Sequence, residues 1–437
     1  MTQSIRKVAI VGAARIPFCR SNTLYADASN LEMMTAALNG LVAKCRLDGV
    51  HIDEVTGGAV VSHSKDWNLA REAVLGTKLA PSTPGITMQQ ACGTSLQAAM
   101  GIAAKIATGE IECGIACGSD TTSDPPIVVG KKLAGRFTQL SQAKSLGQKF
   151  GAFKGFSPSE LAPVAPSTGE PRTGMSMGEH TELMAKEWGI TRAEQDQLAY
   201  ESHMKASAAY ASGYMDDIIV PFNGVYRDNN MRSDMTLEKI ATLKTAFDKS
   251  DKGTLTAANS TPLTDGAAAV LLASEEWAAK RGLPVLGYLT TSQTAANNFV
   301  AGEGLLMAPT IAVSKMLDRA GLKLQDFDFY EIHEAFAAQV LATLKAWEDP
   351  AYCKKFLGKD QPLGSIDRAK LNVRGSSLAF GHPFAATGAR VLGNLAKLVS
   401  VEGGRGLISI CTAGGMGVAA IVEGTKAHRQ VLPQAAE

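Results

Sequence analysis

The sequence predicts an α/β fold made of two like halves around a largely parallel sheet. Three observations carry that expectation. Strand-like and helix-like stretches alternate at both ends of the chain in a β-α-β-α-β order. A cysteine in the first half and a histidine in the second each open a helix of small residues. Each helix then leads through a turn into an apolar strand that ends in a glycine loop. Between the halves the texture changes to a Pro/Gly/Ser-rich block.

The elements follow in order. "KVAIVGAARIPF" reads as a strand, Val8 to Val11, closed by Gly12. "LEMMTAALNGLVAKC" (31–45) has Leu31, Met34, Ala37, Leu38 and Leu41 on one helical face. "HIDEVTGGAVV" is a strand ending at Val61. "CGTSLQAAMGIAAKIATGE" (92–110) is a buried helix stopped at Gly109, and "CGIACGSD" is a central strand opening into a loop. The block from about 125 to 262 contains "FSPSELAPVAPSTGEPRTGMSMGEH", which carries too many breakers for core structure. It also contains a helix (191–217) that starts at Thr191 with Glu194 completing a capping box. Beyond it, "PTIAVSKMLDRAGLKLQDFDFYEIHEAFAAQVLATLKAW" gives helix, strand and a helix opening near His333. "GHPFAATGARVLGNLAKLVSVEGGRGLISICTAGGMGVAAIVEG" gives a helix, a glycine turn, a strand, a glycine loop and a last strand. The segments starting at Cys92 and at His382 overlay as a weak internal repeat.

Bulk properties narrow the function. The chain has 437 residues, enough for two or three domains. Lys+Arg 43 against Asp+Glu 42 leaves a net charge of +1, which gives no long-range field for nucleic acid. No stretch of about 18 uncharged apolar residues offers a membrane span. The N-terminus has no signal-peptide apolar region, since Arg15 interrupts it, so a cytoplasmic protein is expected. The seven cysteines are odd in number and irregular in spacing, unlike a disulfide framework. Cys113 and Cys117 lack a second pair or a close histidine, so no metal site is expected.

Four residues are candidates for chemistry. Cys92, in "QQACGTSLQAA", begins a helix, where the macrodipole lowers a thiol pKa, and Gly93 lets a ligand come close. His382, in "LAFGHPFAATGAR", sits at or just before a helix start, since Pro383 suits a first turn. His333, in "DFYEIHEAFAAQ", lies at a strand-to-helix junction beside Glu334, which can orient a side chain or fix a loop. Cys411, in "ISICTAGGMG", ends a strand, and its glycines open the backbone to another molecule. Each alone reads as readily as a core or capping residue. Together, at strand ends and helix openings, they converge on one crevice of an α/β sheet. Two thiols, two imidazoles and glycine-rich backbone suit acyl transfer through a thioester.

These stretches, with "ANSTPLTDGAAAVLLAS" (258–274) and "HEAFAAQ" (333–339), occur in the order found in the thiolases. Nearly end to end, the chain resembles this family of acetyl-CoA C-acyltransferases. In motif it is closest to the trifunctional-enzyme β-subunit and the bacterial anaerobic β-oxidation branch. The resemblance implies a thiolase fold with layered α-β-α-β-α core. It divides the chain into an N-terminal half (1–124 plus 263–285), a CoA-binding loop domain (125–262) and a C-terminal half (286–437). Cys92 would be the acylated nucleophile, His382 its activator, Cys411 the general acid/base and His333 a contributor to an oxyanion hole. The N–H groups of Cys92 and Ala413 would form a second such hole. Arg232 would lie near the adenine nucleotide, and Met177, Thr261 and Phe336 would line the pantetheine tunnel.

The sequence departs from many thiolases at three points. His333 replaces an Asn, and Ala413 replaces a Gly. Ser376, with Arg374 ahead, replaces one of a glycine pair, so a side chain there is expected to recontour the pocket. The implied activity is CoA-dependent cleavage of 3-ketoacyl-CoA in β-oxidation, with CoA as substrate and no permanently bound cofactor. The alternatives are a biosynthetic acetyl-CoA acetyltransferase, a decarboxylating ketoacyl synthase and a non-catalytic acyl-CoA- or lipid-binding protein on the same scaffold. A homodimer or homotetramer is expected, with a hydratase/dehydrogenase α-subunit as a possible partner.

Overall fold

A computed structural model describes residues 5–425; the outermost ends of the two predicted terminal halves lie outside the described residues. Ten strands form one sheet in the order β10-β11-β12-β9-β1-β8-β5-β3-β4, with β2 against β8. They are β1 (Val8–Arg15), β2 (Cys19–Arg20), β3 (Glu54–Gly58), β4 (Gly85–Thr87), β5 (Cys113–Asp120), β8 (Thr264–Ser274), β9 (Gly287–Ala296), β10 (Phe329–Ile332), β11 (Arg405–Thr412) and β12 (Met416–Glu423). A separate pair, β6 (Val128–Val129) and β7 (Pro163–Val164), belongs to the middle block.

The sheet is mixed, which corrects the expectation of a largely parallel one. Among the described residues, only the β3–β4, β3–β5 and β10–β11 strand pairs run parallel. The reason is in the connections. Thr412 pairs with Met416, so β11 returns as β12 through a three-residue turn, and a turn that short can join only antiparallel strands. β8 arrives after the middle block and enters antiparallel between β1 and β5. The internal repeat reappears in the pairing. β1-β8-β5-β3 and β9-β12-β11-β10 each run antiparallel, antiparallel, parallel. The two sets touch through Ala9–Tyr288 and Ile10–Gly287.

Period-two alternation builds the layers. On β8, Ala268, Val270 and Leu272 face a central cluster that includes Leu96, Ile102, Leu392 and Leu395. Ala269, Leu271 and Ala273 face the opposite way, onto Met34, Leu38, Leu41 and Val74. On β12, Val418, Ala420 and Val422 share the central cluster. Ala419 and Ile421 face Val313, Met316, Leu341 and Leu344. Helices therefore cover both outer faces, and two helices, Thr94–Thr108 and Leu-rich Thr387–Glu402, fill the middle. At a bulge between Ile10 and Gly12 the alternation of β1 shifts by one residue, so that Ile10 faces the central cluster before it and Ala13 after it.

The capping box at Thr191–Glu194 forms as predicted and starts the helix Arg192–Ala211, which ends before the predicted limit. A buried ion pair ties the middle block to β1. Arg15 donates to both oxygens of Asp228 at 2.6 and 2.7 Å, and Tyr210 donates to the same carboxylate at 2.7 Å. Satisfying both carboxylate oxygens is what makes so buried a pair tolerable.

The two central helices meet at their first turns. The Ala389 N–H donates to Ser95 Oγ at 2.7 Å. A Cβ on Gly388 would lie 2.3 Å from the backbone nitrogen of Leu96. Gly388→Val therefore forces these helices apart. Its expected cost is about 1–3 kcal/mol, the range for overpacking, read as a lower urea midpoint with an unchanged m-value.

Candidate active site

Cys92 lies two residues before its helix begins at Thr94. Ala91 adopts a left-handed φ of 46°, an uncommon conformation without glycine. Thr94 Oγ1 donates to the Ala91 carbonyl at 2.7 Å and accepts from the Gln90 N–H at 2.9 Å. This tight turn presents the sulfur ahead of the helix. A Cβ on Gly93 would lie 3.0 Å from Thr412 and 3.1 Å from Val418. That glycine thus lets the Cys92 turn close on the β11–β12 hairpin, rather than making room for a ligand.

His382 also stands further from its helix than Pro383 implied. Phe384–Ala386 forms a 3-10 turn and the helix starts at Thr387. Pro383 is extended, at ψ 93°, and so cannot occupy a helical turn. The Ala385 N–H is held by Asp120 Oδ2 at 2.8 Å. Gly381, with φ 98°, sits where a Cβ would lie 2.7 Å from the Thr264 side chain. Only glycine meets both demands without strain.

Four sequence-predicted residues come together. His382 Nε2 lies 3.0 Å from Cys92 Sγ, and its Nδ1 lies 2.5 Å from Thr387 Oγ1. The His333 ring is 4.2 Å from the His382 ring, centroid to centroid, and its Nδ1 is 2.8 Å from Ser377 Oγ. Cys411, on β11, is buried, and after burial the nearby Cys92 charge raises its thiol pKa further. The backbone N–H groups of Cys92 and Ala413 both act on the Cys92 sulfur.

Burial dominates the electrostatics. It pushes the Cys92 thiol up to about 12, against the pull of those N–H groups and with help from Asp120 and Glu170. Burial, and then Arg390, push His382 down to about 3. This reverses the sequence expectation that a helix terminus lowers the thiol pKa. Desolvation of the buried thiolate outweighs the pull of the two backbone N–H groups. At rest the pair is neutral thiol and neutral imidazole. Burial likewise holds Cys411 protonated and His333 neutral.

Cys92, His333 and His382 bring ligand-type atoms within 4.8 Å of one another. The sulfur's polar surroundings are N–H dipoles with their positive ends inward, which suit an oxyanion and oppose a cation. Cys113 and Cys117 lie on one face of β5, and a Cβ on Gly57 would be 2.5 Å from the Cys117 sulfur. Close sheet packing accounts for Cys117.

The glycines after Cys411 have conformational tasks. Gly414 and Gly415 take φ 77° and 68° in the hairpin turn, and Gly417 lets the strand pass Pro309, whose nitrogen would be 2.4 Å from a Cβ. Sequence reasoning missed two carboxylates that hold this region. Glu170, from the middle block, accepts from the Gly414 N–H at 2.9 Å, next to the Ala413 amide. Asp120 accepts from the amides of Val60, Val61 and Ala385. Neither has a local signal, because each partner is more than 50 residues away in sequence. Glu334, flagged as a loop anchor, accepts from Ser202, Asn372 and the Leu378 N–H.

Of the other predicted binding residues, Thr261 and Phe336 meet. Thr261 donates twice to the Ala335 carbonyl, and Ser260 bridges to Phe336. Met177 opens a helix and packs against the same apolar cluster as Phe336, whose ring lies 6.0 Å from that of Phe247. Arg232 is exposed, and its backbone N–H donates to His203 Nδ1 at 3.0 Å. Arg374 and Ser376, expected to recontour the pocket, each have a partner of their own. Arg374 pairs with Glu402 and covers the Tyr214 ring, while Ser376 is buried against Arg390 and Ser202.

Residues 8–276 match the model of the thiolase N-terminal domain, and residues 283–424 match that of the thiolase C-terminal domain. The chain belongs to the thiolase family. It is, by that membership, an acyltransferase. A 3-ketoacyl-CoA thiolase of Shewanella sp. (strain W3-18-1) is 43% identical over 424 residues, spanning 95% of this chain and 97% of that one. One from Vibrio cholerae is 42% identical over 429 residues, spanning 97% and 98%. Among solved thiolase-fold structures, the Bacillus anthracis acetyl-CoA acetyltransferase superposes with a TM-score of 0.79 at 30% identity, covering 97% of this chain and 100% of that one. Human mitochondrial 3-ketoacyl-CoA thiolase gives 0.79 at 26%, covering 96% and 99%.

A neutral Cys92–His382 pair has a chemical signature. The rate of Cys92 alkylation by iodoacetamide in the free protein should rise with pH through neutrality and still be rising at pH 9. A plateau reached below pH 6 would instead reveal a preformed thiolate–imidazolium pair.

Proposed function

We propose that the protein cleaves 3-ketoacyl-CoA with CoA to give acetyl-CoA and a shortened acyl-CoA, through an acyl-Cys92 intermediate, in fatty-acid β-oxidation. The observation that carries this reading is the 3.0 Å contact between His382 Nε2 and Cys92 Sγ, with amide N–H groups on the sulfur and Cys411 alongside.

In this reading His382 Nε2 takes the thiol proton as Cys92 attacks the 3-keto carbon. The bond between C2 and C3 breaks, and its electron pair becomes the enolate of acetyl-CoA. The Cys411 S–H, kept protonated by burial, delivers its proton to C2. CoA then attacks the acyl-Cys92 thioester and returns a proton to Cys411. Cys92 leaves as the shortened acyl-CoA forms and recovers its proton from His382. The Cys92 and Ala413 N–H groups hold the acyl oxygen, and His333 serves the enolate oxygen. Every group ends as it began, so CoA enters as substrate and no bound cofactor is required.

The apolar run through Met177, Phe336 and Thr261 supports a route for the pantetheine arm, with residues 125–262 as the CoA-binding unit between the two halves. Arg232, exposed on that unit, suits the nucleotide end. A homo-oligomer is the proposed assembly. β4, the terminal strand of the sheet, carries exposed Ile86 and is suited to pairing with a second copy. Among the described residues, no helix is long and apolar enough to cross a membrane. A cytoplasmic setting, and a hydratase/dehydrogenase subunit as partner, complete the proposal.

The test is CoA-dependent thiolysis of 3-ketoacyl-CoA substrates from acetoacetyl-CoA to a sixteen-carbon chain, with Cys92→Ala as control. Turnover of long chains that vanishes in the control supports the degradative role. Turnover of acetoacetyl-CoA alone supports a biosynthetic acetyltransferase, and binding without turnover a carrier.

The two thiols should separate in a second experiment. Cys411→Ser should lower thiolysis by about 10²–10⁴-fold, the usual worth of a positioned acid/base. It should slow the passage of label from a simple acyl-CoA to Cys92 far less, because a CoA thiolate can leave without an acid while a carbanion at C2 needs its proton. Equal losses in the two steps would deny Cys411 its role at C2.

A further inference from the structure

His333 is fully buried and neutral, so it carries a single ring proton, and the surroundings dictate which nitrogen holds it. Arg390 Nη2 lies 2.5 Å from Ser377 Oγ, and Ser377 Oγ lies 2.8 Å from His333 Nδ1. A guanidinium can only donate, so Ser377 Oγ accepts from Arg390. Ser377 has one hydrogen left and is itself fully buried. Giving that hydrogen to His333 Nδ1 satisfies it; any other arrangement orphans a buried hydroxyl proton, which costs the desolvation of that group with nothing in return. The ring proton must then be on Nε2. That atom is buried and has no hydrogen-bond partner among the described residues. It belongs to the ring that lies against His382.

We propose that Arg390 and Ser377 are positioning residues that lock His333 as the Nε2–H tautomer, so that it always presents a hydrogen-bond donor to the reacting oxygen. The neighbouring His382 needs the opposite arrangement, a lone pair on Nε2 to receive the Cys92 proton. Two histidines with rings 4.2 Å apart thus hold opposite roles, distinguished by the groups at both of their nitrogens. Behind His333 stands a hydroxyl already occupied by a cation's donor; the Thr387 hydroxyl behind His382 carries no such donor among the described residues and fixes no tautomer there, while Cys92 stands at the other nitrogen. Arg390 keeps its charge in this setting. Burial lowers its pKa to about 10, while Glu331 and Glu334 favour the cation.

The use made of the donor rests on the acyl-transfer reading, but the tautomer does not, so the test has two parts. In ¹⁵N-histidine-labelled protein, two-bond ¹H–¹⁵N correlation reads which nitrogen of each ring is protonated, and the His333→Asn variant assigns the His333 signals. The expected result is an unprotonated Nδ1 and protonated Nε2 from pH 6 to 8, giving way to a mixture in Ser377→Ala. A protonated Nδ1 in the unmodified protein, or an unchanged pattern in Ser377→Ala, overturns the proposal. In kinetics, Ser377→Ala should lower the kcat of thiolysis roughly 10- to 100-fold with little change in KM, less than the ~10²–10³ for outright removal of an oxyanion donor. In the His333→Asn background the same change should have almost no further effect, because an amide has no tautomer to set. Equal losses in both backgrounds would mean that Ser377 is merely structural and would sink the idea. Protein with the expected tautomer but no thiolysis would refute the acyl-transfer reading and leave the tautomer lock standing.

Discussion

The arrangement depends on one close approach: Gly388 against the backbone of Leu96, with the Ala389 N–H on Ser95 Oγ. It brings together the first turns of two helices that come from different halves of the chain. Cys92 precedes one helix and His382 precedes the other, so their meeting is a consequence of that crossing. Any side chain at position 388 would separate the helices before it disturbed either functional residue directly. Further contacts then refine the approach. Gly93 closes the Cys92 turn on Thr412 and Val418, Asp120 holds the Ala385 amide, and Glu170 holds the Gly414 amide. The sheet halves supply walls, and the middle block supplies a clamp on the turn that carries Ala413.

Burial does the chemical tuning. A thiolate–imidazolium pair would be more nucleophilic at rest, but this site removes both charges from water and disfavours both. The reaction then has to create charge only when a substrate oxygen is present to receive it. In the proposed reaction the fixed N–H dipoles of Cys92 and Ala413 would meet that oxygen already oriented, the condition under which such dipoles are most effective. The same burial keeps Cys411 protonated, as its proposed role of proton donor to a carbanion requires.

Much of this was legible in the sequence. Cys92, His333, His382 and Cys411 were readable because each sits at a junction between a periodic apolar segment and a breaker. Such junctions in an α/β chain converge. The internal repeat was readable from the order of elements and reappears as matching strand pairings. Strand direction is not legible in the same way, because helices between strands favour parallel connections while the tight turn after Cys411 and the late entry of β8 dictate antiparallel ones. The glycines around Cys411 were seen, but two of them answer a positive φ and one a neighbouring proline. The thiol pKa was misjudged in sign because a helix terminus is visible in a sequence and the depth of burial is not. Glu170 and Asp120 were invisible for a related reason. A buried carboxylate that caps a distant amide leaves no pattern near its own position.

Ser377 illustrates how a residue without a motif of its own acquires meaning from its surroundings. In the sequence it stands beside Ser376, which was expected to alter the pocket's contour, and neither serine has an evident partner. In the folded chain both hydroxyls turn to Arg390, and Ser377 alone also reaches His333. An asparagine at 333 would carry its own N–H₂ donor and need no help to present it. A histidine at 333 needs its proton assigned, or it would present a lone pair to an oxygen for part of the time. Two histidines side by side sharpen the requirement, since a pair free to choose tautomers could exchange roles. The buried arginine can only give hydrogen bonds, the serine can pass one on, and the histidine receives it. In that one-way order, the direction of donation set at Arg390 determines what the far side of the His333 ring offers to a substrate.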